Sequence, residues 1–192
     1  EIWVTGQNYY GQLGTGNYAP ITSWTKLGGT ADWVKAIAGI DYTLAIKKDG
    51  TLWAWGFNTS GQLGIGNSTT RNTPVQVGTE KNWKDIDAAT SYSVGLKEDG
   101  TIWAWGTDVD GSTGQGIKGS KYTTPQQIGS DSDWAFITAK TSNTFAIKQD
   151  GTLWGCGDNA LNQINKNSTT TYATLQQIGT DRDWEVVSNG HG

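Results

Sequence analysis

The sequence predicts an all-β propeller of about four blades, and three observations predict it. A unit of about 50 residues recurs along the 192-residue chain, each unit carries a turn dipeptide between two alternating segments, and no helical period competes with them. Composition agrees with a packed protein. There are 27 glycines and 11 tryptophans, three prolines and a formal net charge of −4, so disorder driven by charge is not expected and tryptophan supplies the core. No apolar run approaches the roughly 18 residues of a membrane-spanning helix, so no membrane insertion is expected. One cysteine excludes an internal disulfide and a cysteine-only metal site. With 14 basic against 18 acidic residues, the electrostatic footprint of a nucleic-acid binder is missing.

The first element is the repeated strand itself. Lys48-Asp49-Gly50-Thr51-Leu52-Trp53-Ala54-Trp55-Gly56 returns as Glu98 to Gly106 and as Gln149 to Gly157, and Glu1 to Gly6 is its truncated first copy. The closing glycines at 6, 56, 106 and 157 lie 50, 50 and 51 residues apart, and Trp33, Trp83, Trp134 and Trp184 keep the same register. The chain therefore reads as one domain, 1–192, with copies at about 1–50, 51–100, 101–151 and 152–192. Asp49-Gly50 between Tyr42–Lys47 and Thr51–Gly56 is a hairpin signal. The segment after Trp33 and the run Pro74-Val75-Gln76-Val77 add two short extended runs, giving about four strands per copy. Asn58 to Asn72, rich in Gly, Ser, Thr and Asn, reads as a long ordered loop.

Side-chain parity then explains why a unit does not stand alone. Trp53 and Trp55 point to one face and Ala54 to the other, while Leu44 and Ile46 alternate with Ala45. Each sheet is expected to have a bulky face and a small one, and to bury its rings only against the small face of its neighbour.

These residues resemble the regulator of chromosome condensation (RCC1) type repeat in its bacterial form. The likeness rests on Asp-Gly-Thr-Leu/Ile-Trp-x-Trp-Gly, on Gly11-Gln12-Leu13-Gly14-Thr15-Gly16-Asn17 and Gly61-Gln62-Leu63-Gly64-Ile65-Gly66-Asn67, and on the Pro-Val-Gln-Val-Gly segment at 74–78. The family's Gly-x-x-His-Thr is altered, with Tyr42-Thr43, Tyr92-Ser93 and Asn143-Thr144 in the His-Thr place. Copy three carries Gly111-Ser112-Thr113-Gly114 and copy four Asn162-Gln163-Ile164-Asn165 for Gly-Gln-Leu-Gly. The resemblance implies a propeller, usually of seven blades. Material for about four is therefore expected to be part of a larger ring, to be completed by another chain, or to close with a defective seam.

Catalytic and cofactor readings are weak. The Gly-Gln-Leu-Gly-x-Gly loop follows a hairpin, lacks a Lys-Ser/Thr sequel and precedes no helix, so it is read as turn-forming backbone with Leu13 and Leu63 as anchors. Asn8, Asn58, Asp108 and Asn159 recur after each Trp-x-Trp-Gly strand and read as local backbone caps. Asp108-Val109-Asp110-Gly111-Ser112 begins like a calcium loop but lacks the distal Glu, so a solvated turn is expected. Asp131/Asp133 and Asp181/Asp183 read as turn formers rather than paired catalytic carboxylates. Cys156 stands where Trp55 and Trp105 stand, which makes it a small buried substitute and not a nucleophile. His191, the single histidine, has no partner for a dyad in its own segment. No enzyme activity, no cofactor and no metal site are expected.

Tryptophans that return in every copy are read as core, Trp53, Trp55, Trp103 and Trp105 among them. Trp24 has no equivalent in the other copies and is the tryptophan expected to be exposed. Residues that vary between copies are where specificity is expected. Gln7, Phe57 and Asp158 follow the repeated strand, Tyr9, Tyr10 and Phe57 supply rigid contact area, and Asp108 and Asp110 form a polar patch. With Trp24 these are the expected partner-binding residues. The expected function is a non-catalytic scaffold that binds another macromolecule, foremost a protein, at a bacterial cell surface or outside the cell. A self-assembling fibre or adhesin repeat and a glycan-binding, lectin-like propeller are the alternatives. Many Thr, Ser, Asn and Gly, few charges, no Met and one Cys motivate the location.

Overall fold

The computed structural model describes residues 1–29, 32–165 and 167–188. Among them the regular structure is all β. A two-stranded sheet, β1 (Trp3–Gly6) and β2 (Ile21–Lys26), is followed by three antiparallel four-stranded meanders. The first is β3 (Trp33–Ala38), β4 (Tyr42–Lys47), β5 (Leu52–Gly56) and β6 (Arg71–Val77). The second is β7 (Trp83–Ala88), β8 (Tyr92–Lys97), β9 (Ile102–Asp108) and β10 (Ser120–Gln127). The third is β11 (Trp134–Lys140), β12 (Asn143–Lys148), β13 (Leu153–Gly157) and β14 (Tyr172–Ile178). Each sheet runs from one repeated Trp to just before the next, so it straddles two of the sequence copies. Counting from the Asp-Gly turn cuts through the β4–β5 hairpin, which is one hydrogen-bonded unit.

Successive sheets meet through their first strands. Lys35 on β3 pairs with Asp85 on β7, and Asp87 on β7 accepts from the Thr138 hydroxyl and the Ala139 amide of β11, both at 2.9 Å. The first strands therefore line a common axis and the fourth strands lie outermost, as in propeller blades.

The hairpin turn is built by a relay of three side chains. Asp49 Oδ1 accepts from the Thr51 amide at 3.1 Å and from its hydroxyl at 2.7 Å, and Thr51 Oγ1 accepts the Trp53 indole N–H at 2.9 Å. The same relay joins Asp99, Thr101 and Trp103, and Asp150, Thr152 and Trp154. The spacing Asp-Gly-Thr-x-Trp is thus a hydrogen-bonding requirement, with glycine in the left-handed turn position (Gly50 φ 77°).

The expectation of one bulky and one small face per sheet is corrected by the register. Ala45 faces Trp53, Thr43 faces Trp55 and Leu44 faces Ala54. Directly opposed residues share a face, so the bulky residues of β4 and of β5 lie on opposite faces, each beside a small residue of its neighbour. One face of each sheet carries indoles, the other aliphatic side chains and a tyrosine. The aliphatic face of the first meander (Tyr42, Leu44, Ile46, Leu52, Ala54) forms one core cluster with Trp83 and Trp105 of the second. Trp55 and Trp105 are fully buried, as expected of core. Trp53 and Trp103 are only half-buried, each packed against a core cluster and covered in part by Lys47 and Lys97, with Nζ 3.8 and 3.7 Å from the ring centroids.

Hydrogen bonds lock each sheet to the next. The carbonyl of Gln12 accepts the Thr43 hydroxyl at 2.8 Å and the Trp55 indole at 2.9 Å. Gln62 repeats this with Ser93 and Trp105, both at 2.8 Å. Tyr42 donates to the Tyr92 carbonyl and Tyr92 to that of Asn143, each at 2.7 Å. Burial pushes both phenols up, so they remain neutral donors. Gly64 sits so close to this lock that a Cβ would lie 2.8 Å from the Trp105 ring, leaving room for no other residue.

Trp105→Ala is expected to cost about 3–5 kcal/mol, the usual loss for a deleted core aromatic. Urea unfolding followed by far-ultraviolet circular dichroism checks it. Hydrogen bonds from Thr51, Thr101 and Thr152, first the hydroxyl and then the amide, hold the Asp49, Asp99 and Asp150 carboxyls below their usual value. Their folded-state pKa being depressed, their contribution is present above the ordinary carboxylate range and is lost as pH falls through the folded-state values. Urea midpoints over about pH 5 to 2 are expected to fall less steeply in the Thr51→Val/Thr101→Val/Thr152→Val protein than in the parent.

Candidate protein-binding face

A four-stranded meander places its first and third connections at one end of the blade and its second connection, with the link to the next blade, at the other. The long loops that follow β1, β5, β9 and β13 therefore share one end with the short turns that follow β3, β7 and β11. The Asp-Gly turns and the links after β6 and β10 occupy the opposite end.

Each long loop is folded about one buried side chain. Asn58 Oδ1 accepts the Leu63 amide at 3.0 Å, and its Nδ2 donates to the carbonyls of Asn67 at 2.9 Å and Thr69 at 3.0 Å. Asn8 bonds the Leu13 amide and the Asn17 carbonyl in the same way, both at 2.9 Å. These bonds span the loop rather than close a local turn. Asp108 is the third member and is fully buried, which corrects its assignment to an exposed polar patch and to a solvated turn. A carboxylate lacks the amide donor, and Thr113 stands where Leu13 and Leu63 stand, giving Asp108 an amide at 3.3 Å and a hydroxyl at 2.8 Å.

The remaining expected residues divide by position. Gln7 and Tyr9 are exposed, Tyr9 by 64%, and Tyr10 packs on half-buried Phe57 with ring centroids 4.7 Å apart. Gln7, Tyr9, Tyr10 and Phe57 thus come together at the loop end, across the first two long loops. Asp110 is half-buried on the third loop. Asp158 is half-buried on the fourth, where it accepts from the Ala160 amide at 3.0 Å and from Gln163 at 3.3 Å. Trp24, 70% exposed, lies on outer strand β2 and not at the loop end, so it is separate from the group. The sequence reading missed Tyr18, Ile40 and Ile117, which are exposed at the same end. For Ile40 the signal was available, because the other copies carry Thr90 and Thr141 in its place.

The opposite end is charged. Asp49, Asp99, Asp131, Asp150 and Lys48 lie there with Arg182, which pairs with Asp150. Lys148 reaches Asp131 at 2.6 Å and Asp133 at 3.1 Å, and its Nζ lies 4.9 Å from the Trp134 ring centroid. Lys47, Lys97 and Lys148 recur 50 and 51 residues apart, a signal the indole motif overshadowed. Asp131 and Asp133 therefore hold a lysine beside the indoles, a task beyond forming a turn.

Cys156 is buried, and burial, with Asp108 nearby, pushes its thiol up, the reverse of an activated nucleophile. His191 lies outside the described residues. Beside the last sheet a cleft of about 780 Å3 is lined by Asn143, Phe145, Leu161, Ile178 and Trp184 among others. It lies on the aliphatic face, which in the preceding sheets is covered by the next blade.

Four-stranded meanders stacked about their first strands, with buried carbonyl locks between them, define the blades of a β-propeller. Residues 49–96 match the family model for the regulator of chromosome condensation (RCC1) repeat. The fold is shared with human WBSCR16, at a TM-score of 0.80 and 16% identity over 92% of this chain and 47% of that one. It is shared with a chain of the complex of Kap60 bound to yeast RCC1 (Prp20), at 0.79 and 17% over 93% and 44%. Prp20p from Saccharomyces cerevisiae, described with its binding properties to Gsp1p and histones, matches at 0.78 and 17% over 93% and 46%. The chain spans less than half the length of each of these. A search of curated protein sequences finds no match.

The folded protein is expected to leave Cys156 unmodified by a thiol-reactive disulfide reagent at mildly alkaline pH and to be labelled fully in guanidinium. Rapid labelling of the native protein would contradict the burial described.

Proposed function

We propose that the chain is a non-catalytic propeller scaffold that binds another protein through its loop end. One observation carries the reading: exposed Tyr9, Tyr10, Tyr18, Ile40, Val109, Ile117 and Leu161 are at that end, while the other is charged. Aromatic anchors on loops held by a rigid scaffold are the usual makings of a protein-binding surface. Phe57 and Tyr10 brace one another, which lowers the entropy lost when either is immobilised. The fold supports the reading by analogy, since the yeast neighbour is described in complex with Kap60 and with binding to Gsp1p and histones. The net charge of −4 does not favour a nucleic-acid ligand, which a basic surface would select. A place at a bacterial surface or outside the cell is part of the proposal, supported by few charges, no Met and one Cys.

Self-assembly is the second reading. It is favoured by Trp3 and Trp24, 53% and 70% exposed on the two-stranded sheet, since exposed indoles are common interface anchors.

Affinity capture with the parent protein and with Tyr9→Ser/Tyr10→Ser/Phe57→Ser tests the proposal. The variant is expected to keep its circular dichroism spectrum and to bind the captured protein at least about tenfold more weakly, while Lys48→Ala/Lys81→Ala at the charged end binds as the parent does. Unchanged binding by the triple variant would refute the loop end as the site. Concentration-dependent assembly in sedimentation velocity, removed by Trp3→Ser/Trp24→Ser, would favour the second reading. Hits on a glycan array would favour a lectin role.

A further inference from the structure

The three spaces between successive sheets are internal copies of one another, and the third differs from the first two in one respect. Trp55 fills the first space and Trp105 the second, each ring 5.8 Å from its neighbour Trp33 or Trp83. Cys156 stands in that place in the third, and Trp134 there keeps only Trp154, at 6.0 Å. The Ser112 carbonyl, in the place of Gln12 and Gln62, still accepts the Thr144 hydroxyl at 2.7 Å. Instead of an indole N–H it meets the Cys156 thiol at 3.6 Å.

The vacated volume is not wholly filled. Ile128 replaces Leu27 and Val77 of the other spaces, and its Cγ2 reaches to 3.0 Å of where a Cβ on Gly114 would stand, closing the deepest part. Outside it, a cleft of about 390 Å3 remains, lined by Gly114, Ile128, Trp134, Trp154, Thr174 and Leu175 among others. Trp134 is 3% exposed and its indole N–H has no hydrogen-bond partner. Trp83 shares that orphan donor, and the cleft of about 390 Å3 opens beside Trp134. The walls are those that hold a ring in the sister spaces: an indole on one side, an aliphatic side chain on the other and a glycine between them. Gln115, Ser130 and Asp131 also line the cleft, and a slot with aromatic and aliphatic walls and a few polar groups takes up a free ring of matching size.

We propose that this cleft binds an indole-type ring, a planar bicyclic aromatic, between Ile128 and the Trp134–Trp154 pair. The site lies between the last two sheets and shares no lining residue with Tyr9, Tyr10 and Phe57 of the proposed protein-binding group. The ring can belong to a free small molecule or to a tryptophan side chain.

Titration calorimetry with indole and with N-acetyltryptophanamide, together with fluorine NMR of 5-fluoroindole, tests it. One saturable site with a Kd of about 0.1–1 mM is expected for indole, the range set by the efficiency of so small a ligand. Binding of both probes would assign a peptide-borne ring as well, and binding of indole alone a free one. Cys156→Trp/Ile128→Val rebuilds the sister arrangement and is expected to weaken indole binding at least tenfold while the protein stays folded by circular dichroism. Should that variant not fold, transferred magnetisation from bound indole to the Ile128 methyl groups of the parent decides the matter. No saturable binding up to the solubility limit of indole, undiminished binding by the folded variant, or no contact with Ile128 would overturn the proposal.

Discussion

The structure depends on a contact made between sheets rather than within one. A loop carbonyl of one blade accepts a hydroxyl and an indole N–H from the next, at Gln12 and again at Gln62. A buried carbonyl left without donors costs more than a net hydrogen bond returns, so each blade completes the satisfaction of its neighbour. The indole that donates is also the largest side chain in the interface, which couples polar satisfaction to apolar burial in one residue. Glycine at Gly64 follows from that coupling, since the ring and a Cβ compete for one place. Blades of this kind are stable only in series.

Within a sheet, the controlling constraint is size matching across the register. Alanine or threonine of β4 faces tryptophan of β5, and leucine of β4 faces alanine. This gives each sheet an indole face and an aliphatic face of comparable depth. The half-buried indoles at 53 and 103 are then bracketed by a threonine that takes the ring N–H and a lysine that lies over the ring. Asp49 and Asp99 organise that threonine. A motif that reads as a hairpin signal is therefore also the support for its own tryptophan.

Repetition and divergence separate scaffold from surface. The relay, the carbonyl lock and the roofing lysines recur with the period of the repeat, while Tyr9, Tyr10, Phe57 and Ile40 do not. Divergence also reaches the interior. Asp108 is matched by Thr113, a compensated exchange, whereas Cys156 is matched only in part by Ile128 and leaves a cleft. The first exchange preserves a loop. The second changes what an interface between blades can hold.

The period, the Asp-Gly turns and the returning tryptophans were sufficient to specify strands, blades and the burial of Trp55 and Trp105, because all of these follow from local alternation and repetition. The loop end was legible in part: Tyr9, Tyr10 and Phe57 stood out as residues that vary where the frame does not. Asp108 misled, since a carboxylate in a glycine-rich loop gives no sign of a donor five residues away. Which face each tryptophan shares with which alanine was decided by the hairpin register. That Ile40 joins Tyr9 at one end while Trp24 stands apart was decided by the meander. Both are relations between residues distant in sequence, set when antiparallel pairing turns position along the chain into position around an axis.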